Sequence, residues 1–306
     1  MKRLFAVMAA IGLAGAAWAQ DFNKAVDTFN QGATAIESNK TEALGHFRNA
    51  LTLFKACEEA EAAEMVAKCK ELIPNILISI SKDQIKENNF DAAIATLQEA
   101  KTVAAEYENA DAAANAAEME GKVYMMKANS LMKAKDYAAA IPVLEQVIAM
   151  NPNDGKNYVL MGQAQLQTGA TDEAVASFTK ASELGEDTSK MLSNIYLKKG
   201  QSLMKAGKNA EAIAALEQSN SYLESANAYK LMASIYTKTG KSSQAIATYK
   251  KYLEIAPDAK DKDDIILTIA ATAQKSGDKA TAKEYYGKLA GTKHAATAEA
   301  QLKVLK

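Results

Sequence analysis

The chain has few of the residues that carry covalent chemistry or bind metal ions. It holds only two cysteines and two histidines in 306 residues. Neither His46 nor His294 has a Ser, Cys or Asp placed to form a recognisable catalytic set, and no cysteine spacing fits a zinc site. No glycine-rich phosphate loop follows a predicted strand. The sequence therefore predicts a protein that is not an enzyme, uses no cofactor and holds no metal.

Residues that interrupt helices are also scarce. The chain has four prolines and fifteen glycines, while Ala, Lys, Glu and Leu dominate, and all four favour helix. This composition predicts an all-α protein. The single tryptophan is Trp18, close to the N-terminus.

Neither sign of charge is in large excess. There are 36 basic and 37 acidic side chains, for a net charge of −1. Such a balance gives no general attraction to nucleic acid, so no nucleic-acid partner is expected. A local acidic cluster, Asp258 to Asp264, lacks the Gly and the closing Glu of a calcium loop. It is better interpreted as a helix start, where carboxylates offset the helix dipole.

The first nineteen residues have the pattern of a signal peptide. Lys2 and Arg3 precede an apolar run over residues 4–17, and Ala17-Trp18-Ala19 offers small residues at the two positions that signal peptidase requires. The run is 14 residues long, whereas a membrane-spanning helix needs about 20. We therefore expect residues 1–19 to be removed. The remaining chain would be exported, with the periplasm as its destination and without membrane insertion.

A spaced pattern of small and bulky residues recurs along the chain. In one copy Gly162 is followed after twelve residues by Ala174, and after four more by Phe178. Other copies start at Ser81, Ala128, Gly200, Ala233 and Ala270, and a further copy around Gly32 is shifted by one residue. Small residues at fixed positions allow two helices to approach closely, and a bulky residue fills the remaining space. The pattern predicts repeated helical hairpins that form a core by stacking.

These repeats resemble the tetratricopeptide repeat family, whose signature has small and aromatic residues at these offsets in units of about 34 residues. The resemblance covers nearly the whole chain after residue 20. It implies a helical-hairpin solenoid, a right-handed superhelix of about seven units. It also implies that partner proteins bind in a concave groove lined by the first helix of each unit.

The units are not all alike. We expect degenerate repeats with elongated helices over 20–118, regular units over 119–290, and a capping helix over 291–306. The anchors Ala43, Ala93 and Ala140 are 50 and 47 residues apart, which adds two Ala- and Glu-rich segments, 58–72 and 107–122. If each addition is shared by two neighbouring helices, the N-terminal hairpins are longer and project from the solenoid.

Three columns of residues on the first helices predict the binding groove. The amides are Asn129, Gln163 and Gln201, the apolar floor is Met132, Leu166 and Met204, and the basic edge is Lys133, Lys205 and Lys238. A carboxamide can donate to and accept from a peptide backbone at once. The lysines have a second interpretation, since cations in the last turn of a helix suit its dipole.

The sequence therefore favours a scaffold or adaptor of the cell envelope that binds a protein or peptide partner. The alternative is a structural envelope protein that assembles with itself through the projecting N-terminal hairpins. The first predicts a partner segment in the groove, and the second predicts a defined oligomer with no other partner.

Cys57 and Cys69 leave two interpretations open. In an exported protein they could form a disulfide across a turn near Ala62-Ala63. They could equally be two small hydrophobic side chains in the core.

Overall fold

The computed structural model describes residues 18–305, with side chains from Gln20 onward. The predicted signal peptide, residues 1–19, falls almost entirely outside this range. Every regular element within the described residues is an α-helix, in agreement with the predicted all-α fold. The described residues divide into two compact units, with the boundary between Pro152 and Asn153.

The first unit contains six described helices in three hairpins, and each hairpin pairs two consecutive helices. They are α1 (Trp18–Ala35), α2 (Lys40–Lys55), α3 (Ala60–Lys86), α4 (Phe90–Glu106), α5 (Ala110–Ala134) and α6 (Tyr137–Met150). One continuous core, from Phe22 to Val123, runs through this unit.

The second unit contains four hairpins and a last single helix. They are α7 (Gly155–Thr168), α8 (Thr171–Glu183), α9 (Ser189–Lys205), α10 (Asn209–Tyr222), α11 (Ala226–Lys238), α12 (Ser242–Ile255), α13 (Lys262–Lys275), α14 (Lys279–Gly287) and α15 (Ala295–Val304). Its core consists of several clusters, each formed by neighbouring hairpins.

The repeat frame read from the sequence is confirmed by burial. The second small position of each hairpin is fully buried in all seven: Ala43, Ala93, Ala140, Ala174, Ala212, Ala245 and Ala282. The first small position faces the bulky one across the hairpin. A methyl group added to Gly162 would lie 2.9 Å from the ring of Phe178, and one added to Gly200 would lie 2.7 Å from Leu216. Small residues are therefore required there because a side chain from the paired helix occupies the space.

Glycines mark the turns inside the hairpins of the second unit. Gly169, Gly207, Gly240 and Gly277 each end a first helix with a positive φ between 73° and 86°. This left-handed conformation is readily adopted by glycine and closes the helix end. In the first unit Lys135 takes the same conformation, with φ 61°.

The prediction that neighbouring helices share the added N-terminal length equally is wrong. Helices α3 and α5 have 27 and 25 residues, whereas α2 and α4 have 16 and 17. The turns fall at the start of the added segments, so nearly all of the extra length belongs to the first helix of the next hairpin. These added turns bury Ala62 and Met65 in α3 and Ala112 and Ala116 in α5, all within the core of this unit.

The C-terminal segment forms a helix as expected, and this helix packs on the last hairpin. Ala298 and Leu305 are buried against the last hairpin, and Leu302 packs beside them. Ala296, on the same helix, is exposed. One apolar stripe of α15 therefore covers the core of α13 and α14.

Candidate functional site

The proposed groove residues all lie on the first helices of their hairpins. Asn129, Met132 and Lys133 are on α5, Gln163 and Leu166 on α7, Gln201, Met204 and Lys205 on α9, and Lys238 on α11. The structure places the α5 residues in the first unit and the others in the second. Each unit therefore carries its own part of the candidate surface.

The three amide side chains are accessible. Asn129 and Gln163 are exposed and Gln201 is half-buried. Among the described residues, none of the three side chains takes part in a hydrogen bond within the protein. Each carboxamide can therefore offer both its N–H groups and its oxygen to another molecule.

The apolar residues of this surface are held in place but not hidden. Met132, Leu166 and Met204 are all half-buried. Leu166 packs against the cluster around Phe178 and Leu192, and Met204 packs against the cluster around Leu216 and Met232. Part of each side chain faces outward, where it could contact an apolar group of a ligand.

The lysines at the edge are exposed and end their helices. Lys133, Lys205 and Lys238 each lie in the last turn of α5, α9 and α11. None of them forms an ion pair with a described residue. They offset the partial negative charge of the helix ends, and they also leave positive charge available on this surface.

Two carboxylates of the acidic cluster 258–264, those of Asp261 and Asp264, form hydrogen bonds within the protein. Asp261 accepts hydrogen bonds from Lys230 and, at 2.5 Å, from the hydroxyl of Tyr252. These contacts lower the pKa of Asp261, while burial and the bond to Asp261 raise the pKa of Tyr252 to about 12. The three groups tie α11 and α12 to the start of α13.

A second tie joins α13 to the last helix. Asp264 lies 2.9 Å from the Lys293 ammonium and 2.5 Å from the His294 ring, and these contacts lower the pKa of the carboxyl group. Within residues 18–305 no group of His, Cys, Asp and Glu side chains is arranged to hold a metal ion.

The two cysteines are free thiols, and the turn between them is not where the sequence suggested. Helix α2 ends at Lys55 and α3 begins at Ala60, so Cys57 lies in the turn itself. Cys69 lies nine residues into α3, about 14 Å along the helix at 1.5 Å per residue. A disulfide needs Cα atoms within about 7 Å. The expectation of a turn near Ala62-Ala63 was therefore wrong, because the turn lies between Lys55 and Ala60.

Burial separates the two thiols chemically. Cys57 is half-buried and its sulfur lies 3.3 Å from the Leu53 carbonyl oxygen. Cys69 is fully buried, and burial raises its pKa to about 12. The disulfide between them stays a prediction.

One buried charged group was missed at the sequence level. Glu120 on α5 is only 2% exposed. Its carboxylate accepts hydrogen bonds from Lys101 at 2.6 Å and from Gln98 at 3.0 Å, both on α4. It acts as a polar link inside the first unit. A Glu in an Ala-rich, Glu-rich helix gives no sign in the sequence that it faces inward.

Comparison with known proteins agrees with the repeat geometry. Two family models described as tetratricopeptide repeat match the chain, one over residues 131–201 and the other over residues 197–260. Residues 131–260 carry tetratricopeptide repeats. Within the described residues, no helix of this repeat protein is long and apolar enough to span a lipid bilayer.

Solved structures with similar backbones have low identity to this chain. The MamA protein is 21% identical, with a TM-score of 0.33, over 56% of this chain and 90% of its own. YrrB, described as a TPR protein with an unusual peptide-binding site, is 16% identical, with a TM-score of 0.32, over 59% and 90%. PilW, described as a type IV pilus biogenesis factor, is 20% identical, with a TM-score of 0.30, over 71% and 92%. No curated protein matches the sequence.

Proposed function

We propose that this chain is a non-catalytic scaffold, exported to the periplasm, that holds a protein partner through a segment bound along its first helices. The observation that carries the proposal is the tetratricopeptide repeat segment at residues 131–260. Such repeats are protein-interaction modules, and their stacked first helices offer a continuous surface to a partner.

The chemistry of the candidate surface supports a peptide ligand. Gln163 and Gln201 can each satisfy backbone N–H and C=O groups of an extended segment. Leu166 and Met204 would accept apolar side chains, and Met adapts to varied shapes. Asn129 with Met132 offers the same pair of groups on the first unit.

The surface charge favours an acidic partner segment. Residues 153–306 contain 21 basic and 17 acidic side chains, for a net charge of +4, while residues 20–152 contain 13 and 20, for a net charge of −7. Exposed lysines such as Lys205 and Lys238 lie beside the amide column of the second unit. Binding should therefore weaken as salt screens the attraction.

The rival hypothesis of self-assembly has less support. It needs an adhesive surface on the elongated N-terminal hairpins. Among the described residues, the large exposed apolar side chains are Met126, Met150, Leu223, Ile255 and Val304, and none lies in the added segments 58–72 or 107–122. Those segments expose mainly Ala and Glu, which do not form a hydrophobic contact surface.

The test begins with crosslinking in the native envelope to identify the attached protein. Affinity for that partner is then measured by calorimetry with Asn129, Gln163 and Gln201 all replaced by Ala. We expect an intact fold and binding weaker by about 1–3 kcal/mol, because several partly buried hydrogen bonds are lost.

The control replaces two exposed amides on second helices, Gln146 on α6 and Gln218 on α10, by Ala. This control should bind as the parent protein does. Equal affinity of the triple variant and the parent would place the binding surface elsewhere.

A further inference from the structure

A polar cleft lies within the second unit. It has a volume of about 590 Å³ and is lined by the end of α11, the start of α12 and the end of α13. Its lining residues are Thr237, Gly240, Lys241, Ser242, Ser243, Gln244, Thr272, Lys275 and Ser276. None of the nine proposed groove residues is among them.

The lining of the cleft is suited to a negatively charged ligand. It contains five hydroxyl side chains and two lysines and no carboxylate. Neither Lys241 nor Lys275 forms an ion pair with any described residue. Lys275 lies in the last turn of α13, where it offsets the partial negative charge of that helix end.

The start of α12 adds uncapped backbone donors. Its N-cap residue, Lys241, makes no side-chain cap, and its first turn has no acidic residue. The Ser242 amide donates to the Gly240 carbonyl oxygen at 3.0 Å, whereas the Ser243 and Gln244 amides make no backbone hydrogen bond, as is usual in the first turn of a helix. At the matching place in the preceding hairpin, Glu211 provides the negative charge and pairs with Lys208. In the α11–α12 hairpin the matching residue is Gln244, which is uncharged.

Thr272 provides an independent sign of a missing partner. This residue is only 9% exposed, and it lines the cleft. Helical threonines usually bond to the carbonyl four residues earlier, as Thr268 does to Asp264 at 2.8 Å and Thr237 does to Ala233 at 2.9 Å. Within the described residues the Thr272 hydroxyl makes no hydrogen bond. Because Thr272 lines the cleft, its free O–H group can donate to an acceptor atom bound there.

We propose that this cleft binds a phosphate group, either as inorganic phosphate or as a phosphate monoester. A phosphate dianion has several acceptor oxygens, which can be shared among the α12 amides, the Thr272 hydroxyl and the two lysines. The N-terminus of a helix is a natural phosphate site because its free N–H groups and its dipole act together. A carboxylate is smaller and carries a single charge, so it would leave part of this donor set unsatisfied.

The test uses the chain from Gln20 onward, labelled with ¹⁵N-glycine. Gly240 lines the cleft, and Gly207 occupies the matching turn of the preceding hairpin, so one spectrum holds both the probe and its control. The two signals are assigned with the variants Gly240→Asn and Gly207→Asn, since Asn tolerates positive φ. Inorganic phosphate, O-phosphoserine and acetate are titrated separately at constant ionic strength.

We expect the Gly240 signal to shift saturably with phosphate and phosphoserine, with acetate binding about tenfold more weakly, because fewer charge-assisted hydrogen bonds form. The Gly207 signal should show no saturable shift. The variant Gln244→Glu places a carboxylate at the start of α12, as Glu211 does in α10, and should weaken phosphate binding at least about tenfold. This variant adds a favourable helix charge and should fold as the parent does.

The variant Thr272→Val keeps the side-chain shape and removes only the hydroxyl group. It should weaken binding severalfold if the hydroxyl donates to the ligand. Parallel shifts of Gly240 and Gly207 would overturn the proposal, as would unchanged phosphate binding by Gln244→Glu. Acetate that binds as tightly as phosphate would overturn the assignment to a phosphate group.

Discussion

At the scale of single residues, the fold depends on contacts between a small side chain and a large one. Gly162 on α7 faces the ring of Phe178 on α8, and an added methyl group would lie 2.9 Å from that ring. The Phe178 side chain is fully buried and also contacts the cluster that includes Leu192 of the next hairpin. It therefore cannot move away without disturbing its neighbours.

The variant Gly162→Ala should lose about 1–3 kcal/mol of unfolding free energy, because the added methyl group overpacks this contact. The matched variant is Gly45→Ala on α2, where the added methyl group meets no atom within 4 Å. That change should be neutral or stabilise by up to about 1 kcal/mol, since Ala favours helix over Gly. Urea unfolding followed by circular dichroism measures both, and equal effects would mean that the contact is not limiting.

The two thiols should differ in reactivity at pH 8. Burial raises the pKa of Cys69 to about 12 and keeps reagents away from it, whereas the pKa of Cys57 is raised mainly by a smaller degree of burial. Since the thiolate is the reactive form, iodoacetamide should modify Cys57 first and Cys69 only after unfolding. Mass spectrometry of the native protein without reductant measures this. Two unreactive sulfurs and a mass lower by two hydrogens would instead reveal a disulfide.

The pattern of residue types in the sequence predicted the repeat frame of the core, but it did not predict the polar cleft. Ala174 and Phe178 recur at fixed offsets, so one sequence reveals their column. The cleft is formed by residues from the ends of three helices, such as Thr237, Lys241 and Thr272. These residues are close together because of how the hairpins stack, and their spacing in the sequence does not indicate it.

At the scale of helices and turns, glycine indicates some helix boundaries in the sequence, whereas some boundaries without glycine give little sign of their position. Gly169 and Gly207 mark two such turns, each with a positive φ. The turn between α4 and α5 has Glu108 in the left-handed conformation, with φ 58°, and no glycine. The only local sign is Asn109, whose side chain caps the first turn of α5. Ala-rich, Glu-rich segments favour helix on both sides of such a turn, so composition could not assign the added length.

Ion pairs connect consecutive hairpins and should make stability depend on pH. Asp83 on α3 accepts hydrogen bonds from Lys40, at the start of α2, and from Lys86, and these contacts lower its pKa from 3.8 to about 2. A carboxyl group whose pKa is lower in the folded state stabilises the fold above its unfolded pKa. That stabilisation is lost as the pH falls from about 4 to about 2.

The variant Asp83→Asn should therefore melt below the parent protein at pH 6, and the difference should vanish below about pH 2. The control is Asp27→Asn on α1, where the carboxylate is exposed and forms no ion pair with a described residue. Thermal melts across this pH range measure the effect. A difference between Asp83→Asn and the parent that stays constant with pH would show that the ion pair is not its source.

At the scale of the whole molecule, each unit has a core of its own. In the second unit the clusters form between neighbouring hairpins, from Ala174 and Leu192 up to Ala282 and Leu305. A repeat protein is stabilised by contacts between adjacent repeats, so an uninterrupted series of hairpins can fold without the rest of the chain. The same reasoning predicts that a cut inside a hairpin is more harmful than a cut between hairpins.

We therefore expect the fragment 153–306, which begins just before α7, to be helical and to unfold cooperatively. The matched fragment 170–306 begins between α7 and α8, so Phe178 and Ala174 lose the helix that covers them and α8 should fray. Circular dichroism and urea titration of both fragments measure this, and the shorter one should unfold at a lower urea concentration. Equal midpoints would mean that α7 adds nothing to the fold of this unit. An unfolded 153–306 would mean that the unit does not form a core alone. If 153–306 folds, it should also retain the candidate residues Gln163 and Gln201 and the polar cleft in one independent piece.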